Sequence, residues 1–219
     1  MNKLPKLYEN LLKEYGVPGP WPWFGRDQPH TPEEIAIGAI LTQNTNWTNV
    51  GKALERLREA NACTISGIYR LGKRDYNKLK ILIRPSGFFN QKAKRLLEFS
   101  RYIIEVFGTL KKFFSLPLRQ ARNKLLCLNG IGPETADTIL LYAGNKPAFV
   151  IDCYTQRFVK RYKLTRLEDY QKLQEFFTRN LPKKIQLYQA FHALIIRWGK
   201  DQRPKTKDQR LKTNTGLID

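Results

Sequence analysis

A chain of 219 residues is long enough for one substantial hydrophobic core or two small lobes. Its 39 Lys and Arg against 19 Asp and Glu leave a formal net charge of +20 on a sequence that is 42% hydrophobic and 12% aromatic, which describes a folded protein with a polyanionic partner. No apolar run approaches the ~18 residues of a membrane-spanning helix, and Cys63, Cys127 and Cys153 lie too far apart for a disulfide framework or metal-ligand spacing.

Residues Pro5 to Tyr15 place Leu7, Leu11 and Leu12 on one side of a short helix. Gly16 to Gly25 is too rich in proline and glycine to continue it, and offers Trp21, Trp23 and Phe24 on a stiff loop. Thr31-Pro32-Glu33-Glu34 is a helix start: a hydroxyl cap, a proline in the first turn and acid beside it. That helix carries Ile35, Ala39 and Ile40 inward and runs out into Leu41-Thr42-Gln43-Asn44-Thr45-Asn46. A second helix begins near Thr48, with Val50, Leu54 and Leu57 at helical spacing, and residues 61–80 hold one or two short helices. Arg84 to Asn90 is a turn carrying Phe88 and Phe89. Gln91 to Phe107 is the clearest amphipathic helix, with Ala93, Leu96, Leu97, Ser100, Ile104 and Phe107 on one face. Ser115-Leu116-Pro117 opens the next helix.

That helix leads into Leu128-Asn129-Gly130-Ile131-Gly132-Pro133-Glu134-Thr135, the pattern of two helices joined by a tight hairpin. Gly130 and Gly132 suit a turn that needs positive φ and a close backbone approach to a ligand. Pro133 fits the first turn of the following helix, and N–H groups at a helix start favour an anion. Asp152 then stands alone between Val150-Ile151 and an aromatic-basic run, where an N-cap is the simplest reading. Further helices fall near 153–162, 168–180 and 185–199, the last carrying Leu187, Phe191, Leu194, Ile195 and Trp198. The tail from Lys200 is polar and basic, and disorder is expected at its end. No run alternates convincingly as a strand. The expected fold is all-α, with about ten helices in two lobes, a helix-hairpin-helix motif and a cleft between the lobes. Residues 32–146 would form the first lobe; residues 1–31 plus 147–219 would form the second, bringing Asp152 to the cleft.

The hairpin from Leu128 to Asp137, followed by Lys146-Pro147-Ala148-Phe149-Val150-Ile151-Asp152, resembles the helix-hairpin-helix and aspartate signature of the endonuclease III superfamily of DNA glycosylases. Leu41 to Thr45 resembles the segment that carries that family's DNA-inserting glutamine, and Phe191 to Ile195 with Trp198-Gly199-Lys200 resembles its last helix. Within the superfamily the sequence is most similar to the type III 3-methyladenine DNA glycosylases. The matching pieces are Leu41 to Thr45 followed by Trp47, Arg84 to Arg95, Gly130-Ile131-Gly132-x-Glu134, and the Pro-Trp-rich loop around Trp21 and Trp23. The spacing from that loop to Gln43 is longer here, which leaves the stacking residue open.

The resemblance implies a monofunctional glycosylase of base excision repair acting on double-stranded DNA with a damaged base, most simply an alkylated purine such as 3-methyladenine. Asp152 would be the catalytic carboxylate, able to stabilise positive charge on the sugar and orient water. Trp47, Trp21, Trp23 and Phe24 would form the base pocket, with core packing as the alternative. Gln43 and Phe88 would fill the gap left by a flipped nucleotide, with a helix-end hydrogen bond and core packing as the respective alternatives. Leu128, Gly130, Ile131, Gly132, Glu134 and Thr135 would grip a phosphate, with room for a K+ or Na+ ion on hairpin carbonyls. Strand-cutting members carry a lysine where this chain has Glu134, and a carboxylate cannot form their Schiff base. With no cysteine after Cys153, no iron–sulfur cluster is expected, nor any other cofactor. Lys92, Lys94 and Arg95 fit either phosphate contact or a solvated helix face, and His30 and His192 read as structural. The expected setting is a monomer away from membranes, in the cytoplasm of a prokaryotic cell on its nucleoid. The rivals are a glycosylase for oxidised, deaminated or mismatched bases on the same scaffold, with weak or no lyase activity, and a silent DNA-binding module.

Overall fold

The structure, a computed structural model, describes residues 3–18 and 31–202. These residues form twelve α-helices and no strand. In chain order they are α1 (Leu4–Tyr15), α2 (Pro32–Leu41), α3 (Trp47–Glu59), α4 (Ile65–Arg74), α5 (Tyr76–Ile83), α6 (Phe89–Tyr102), α7 (Leu110–Phe114), α8 (Leu118–Leu126), α9 (Pro133–Thr138), α10 (Cys153–Arg161), α11 (Tyr170–Asn180) and α12 (Ile185–Asp201). Most starts are capped as their sequences dictate. Thr31, Asn46, Thr64, Asp75, Thr109, Asp152 and Asp169 each accept a hydrogen bond from the backbone N–H three residues on.

Helix α2 is the centre of the molecule. Every residue from Ile35 to Leu41 is buried, not only the three expected to face inward. A helix apolar all round is stable only when protein surrounds it. Here α3, α6, α9 and the segment after α9 pack against it. The polar start of α2 is anchored too: Glu34 pairs with Arg58 at 2.7 Å, and Glu33 accepts from the Ile65 N–H at 3.2 Å.

Two helices end in π-helical turns that sequence periodicity does not register. After α6 the chain widens over Ile103–Phe107, and after α9 over Ile139–Ala143. The extra residue in a π turn rotates the following side chains. The inward position expected at Ile104 falls on Ile103, which is fully buried, while Ile104 and Phe107 are only half-buried.

Helices α1 and α10 pack on α12, and an aromatic cluster fills the space beside α11. Phe149 stacks on Phe177 with centroids 4.3 Å apart, and Phe191 meets Phe149, Phe158 and Phe177 edge-on. The buried apolar side chains form one continuous core from α1 through α12.

A polar knot ties the helix after the hairpin to the segment leading to Asp152. Asp137 on α9 is fully buried and accepts from Arg122 Nε at 2.8 Å and Nη2 at 3.0 Å, from Tyr170 Oη at 2.9 Å and from Gln174 Nε2 at 2.7 Å. Gln174 Nε2 also donates to the Phe149 carbonyl at 2.7 Å, and Tyr170 Oη accepts from the Ile151 N–H at 3.4 Å. One carboxylate thus fixes the backbone just before Asp152.

Candidate functional site

The hairpin is closed by the Ile131 N–H donating to the Leu128 carbonyl at 3.1 Å. Gly130 takes φ +77°, a left-handed conformation that a side chain would strain. A Cβ there would also collide with Arg95 Nε, so the absent side chain makes room for a guanidinium. Ile131 is buried as the anchor of the turn, while Gly132 and Pro133 are exposed at the head of α9.

Helix α6 gathers three loops around this hairpin. Lys92, only 1% exposed, donates to the Leu41 carbonyl at 2.8 Å and to the Ser86 carbonyl at 2.6 Å. It thereby joins the end of α2 to the turn before Phe88, an arrangement in which an ammonium meets carbonyls at a helix C-terminus. Burial, and then the charge of Arg95, push its pKa down to about 8. Neither phosphate contact nor a solvated helix face describes Lys92. Its alkyl stem crosses the core face of α6, and its head group is consumed by the fold. One turn on, Arg95 Nη1 donates to Gln43 Oε1 at 2.5 Å. Gln43 Nε2 in turn donates to the Gly130 carbonyl at 2.8 Å and to Thr135 Oγ1 at 2.9 Å. Gln43 therefore braces the hairpin from the end of α2 rather than standing free of it.

Phe88 behaves in the opposite way. It is 62% exposed and sits at the N-cap of α6 with φ 46° and ψ 33°. A large apolar side chain held in the left-handed region and turned to solvent is strained and unpaid by packing. Its neighbour Phe89 makes the core contact instead.

Asp152 is 7% exposed and caps α10. Its Oδ1 accepts from both the Thr155 N–H at 2.7 Å and Thr155 Oγ1 at 2.9 Å. Oδ2 is left for His192, whose Nε2 lies 3.5 Å away on α12. Burial pushes the Asp152 carboxyl up, but His192 and the two Thr155 donors outweigh it and hold the carboxyl below the usual carboxylate range. The Glu134 carboxyl goes the other way: burial, then the charge of Asp152, raise it. Glu134 is exposed at the head of α9. The two carboxyls are therefore shifted in opposite directions, Asp152 down and Glu134 up.

The structure brings Gln43, Gly130, Thr135 and Arg95 into one cluster and Glu134, Asp152 and His192 into a second. Trp47 opens α3 and is half-buried against the core. Trp21, Trp23, Phe24 and His30 lie outside the described residues. Sequence reasoning passed over His192, Tyr142 and Thr155 as partners of the site. The available signal was a lone histidine among Phe191, Ala193, Leu194 and Ile195 on α12, since a polar group on an apolar face has to find a partner.

Cys63 is buried, its thiol pushed up to about 12 chiefly by burial, while Cys127 and Cys153 are exposed. Among the described residues no group of three or more His, Cys, Asp or Glu is placed to hold a metal ion.

A profile of the HhH-GPD superfamily of base excision DNA repair proteins matches residues 37–183. A candidate DNA repair glycosylase of Methanocaldococcus jannaschii is 40% identical over 194 residues, covering 87% of this chain and 84% of that protein. Endonuclease III of Thermotoga maritima is 28% identical over 200 residues, covering 87% of this chain and 86% of its own. Among solved structures, the H. pylori 3-methyladenine DNA glycosylase bound to 1,N6-ethenoadenine superposes with a TM-score of 0.75 at 32% identity, over 93% of this chain and 98% of that one.

Proposed function

The chain belongs to the HhH-GPD superfamily of base excision DNA repair proteins, and from that premise we propose that it is a DNA glycosylase acting by hydrolysis alone on an alkylated purine in duplex DNA, 3-methyladenine foremost. The observation that carries the reading is Asp152, a buried carboxylate held ionised, with one oxygen used for capping and the other left over. When an N-glycosidic bond breaks, its electron pair leaves with the base and positive charge develops at C1′. A fixed carboxylate in a water-poor site stabilises that charge. Water then adds to C1′ and loses its proton, leaving an abasic sugar. An N3-methylated adenine is cationic in the nucleoside and departs neutral, so the reaction makes little demand for an acid.

Glu134 supports hydrolysis without strand cleavage. It occupies the position of the Schiff-base lysine in strand-cutting relatives, and a carboxyl cannot form that covalent link. An alkylated purine is favoured by the 32% identity to a 3-methyladenine glycosylase whose structure holds an ethenoadenine. Trp47 serves in this reading as an aromatic face for the flipped base, adding about 1–2 kcal/mol for a cationic one. Trp21, Trp23 and Phe24 are proposed to complete the pocket. The Gly130–Thr135 hairpin is assigned to the phosphate backbone, with Gln43 bracing it.

Phe88 is assigned as the wedge that fills the vacated stack, which gives its exposure and strained backbone a purpose. Phe88→Ala is expected to leave the melting temperature unchanged or slightly raised while lowering kcat/KM on duplex substrate by roughly tenfold, about 1.4 kcal/mol. Unaltered kcat/KM would remove Phe88 from the site. The reading as a whole is tested by a base-release panel of 3-methyladenine, 7-methylguanine, hypoxanthine, uracil, thymine glycol and adenine opposite 8-oxoguanine. Release of 3-methyladenine ahead of the others supports it; preference for thymine glycol or the mismatch would give the scaffold to oxidised or mispaired bases instead.

A further inference from the structure

Asp152 is the near end of a buried polar chain. His192 is 4% exposed and Tyr142 is 5% exposed. Tyr142 Oη lies 2.8 Å from His192 Nδ1 and 3.3 Å from the Gln189 carbonyl. His192 Nε2 lies 3.5 Å from Asp152 Oδ2, longer than a good hydrogen bond, and has no hydrogen-bond partner among the described residues. A carboxylate only accepts, so this approach is attractive only if Nε2 carries a proton. Nε2 is the protonated nitrogen of the neutral ring when the Tyr142 hydroxyl donates to Nδ1.

We propose that Tyr142 fixes His192 in its Nε2–H tautomer and that His192 thereby orients Asp152 Oδ2 for base release, making both positioning residues of the reaction. The inference rests on the glycosylase reading above. Helix capping does not explain the arrangement, because the Thr155 N–H and hydroxyl both donate to Oδ1 and neither reaches Oδ2. Packing does not explain it either. Phe191, Leu194 and Ile195 surround this position in sequence and are fully buried, so a leucine would fill it without the cost of burying an imidazole. Three elements bring charged or titratable groups to Asp152: Glu134 from α9, Tyr142 from the π turn and His192 from α12, with Thr155 on its own helix. Of these, the His192 N–H supports the ionised carboxylate, and Glu134 opposes it whenever Glu134 is itself charged. Apo contacts of this kind are often long and shorten when substrate binds.

The test is base release against pH for His192→Leu, His192→Gln and Tyr142→Phe, alongside Asp152→Asn, on a duplex with 3-methyladenine. His192→Leu is expected to lower kcat on the order of 10–100-fold with little change in KM, as loss of an orienting partner does elsewhere. Its acid limb should move to higher pH, because Asp152 loses a group that favours its ionised form. His192→Gln, whose amide can donate from near the Nε2 position, should recover most of the rate and much of the limb. Tyr142→Phe should give a smaller loss with the limb moved the same way. An unmoved acid limb in His192→Leu and Tyr142→Phe overturns the proposal, as does a His192→Gln no better than His192→Leu. Should His192→Leu not fold, Tyr142→Phe, which removes one hydroxyl, decides the question alone. Full activity in Asp152→Asn is a separate result, which removes the catalytic reading itself.

Discussion

Asp152→Asn is expected to lower base release by about 10³-fold, roughly 4 kcal/mol of transition-state stabilisation, while duplex binding and melting temperature stay near those of the parent. Asparagine is chosen because it is as good an N-cap as aspartate, so the two Thr155 hydrogen bonds to Oδ1 survive the change. What disappears is the negative charge. The substitution therefore separates the cap that Asp152 makes on α10 from the catalytic charge proposed for it. The pH dependence follows the same logic. A carboxyl with a depressed folded-state pKa contributes stability above its unfolded value and loses that contribution as pH falls through the folded value. The parent should lose this share of its stability in acid, and Asp152→Asn should not. Single-turnover release with a parallel binding titration checks the first claim. A variant that binds poorly, or that releases base at the parent rate, contradicts it.

The second large effect is structural. Asp137→Ala leaves the Arg122 guanidinium, mostly buried, without its carboxylate and empties the acceptor shared by Tyr170 and Gln174. Breaking a buried pair by removing one partner costs about 3–5 kcal/mol. In a protein of this size that corresponds to a fall in melting temperature of about 10 °C. The damage should not be confined to stability. Gln174 and Tyr170 also hold the Phe149 carbonyl and the Ile151 N–H, so the approach to Asp152 loosens with them. Below its own melting point the folded variant should release base more slowly than the parent. Thermal denaturation with activity measured at low temperature distinguishes the parts. A loss under about 1 kcal/mol would mean that the buried charges were offset elsewhere.

Much of the fold is legible because helix caps and periodicity are local. Thr31-Pro32-Glu33-Glu34 starts α2, and the amphipathic run from Gln91 is α6 for most of its length. The π turns at Ile103–Phe107 and Ile139–Ala143 are not legible, since they insert one residue without any composition signal. The depth of α2 was available in principle: Ile35-Ala36-Ile37-Gly38-Ala39-Ile40-Leu41 is apolar on every side, which a one-sided reading undercounts. In the site, Asp152 and the hairpin can be read because a motif carries them. Their supporting residues cannot. Lys92 meets Leu41, Arg95 meets Gln43, and His192 meets Asp152 across dozens of residues of chain. A lysine on a helix has the same local sequence pattern whether its head group reaches water or a buried carbonyl, and only the packed structure decides between them.

The most direct test of the account is to incubate the parent protein with a duplex bearing a single 3-methyladenine, measuring released base and strand breaks before and after alkali. The account predicts free 3-methyladenine in step with abasic sites, strands that stay whole until alkali is added, and no adduct trapped by borohydride. It is contradicted if no base is released, or if breaks and a trapped adduct appear in proportion to release without alkali, which would mean that an amine elsewhere in the chain does what Glu134 cannot.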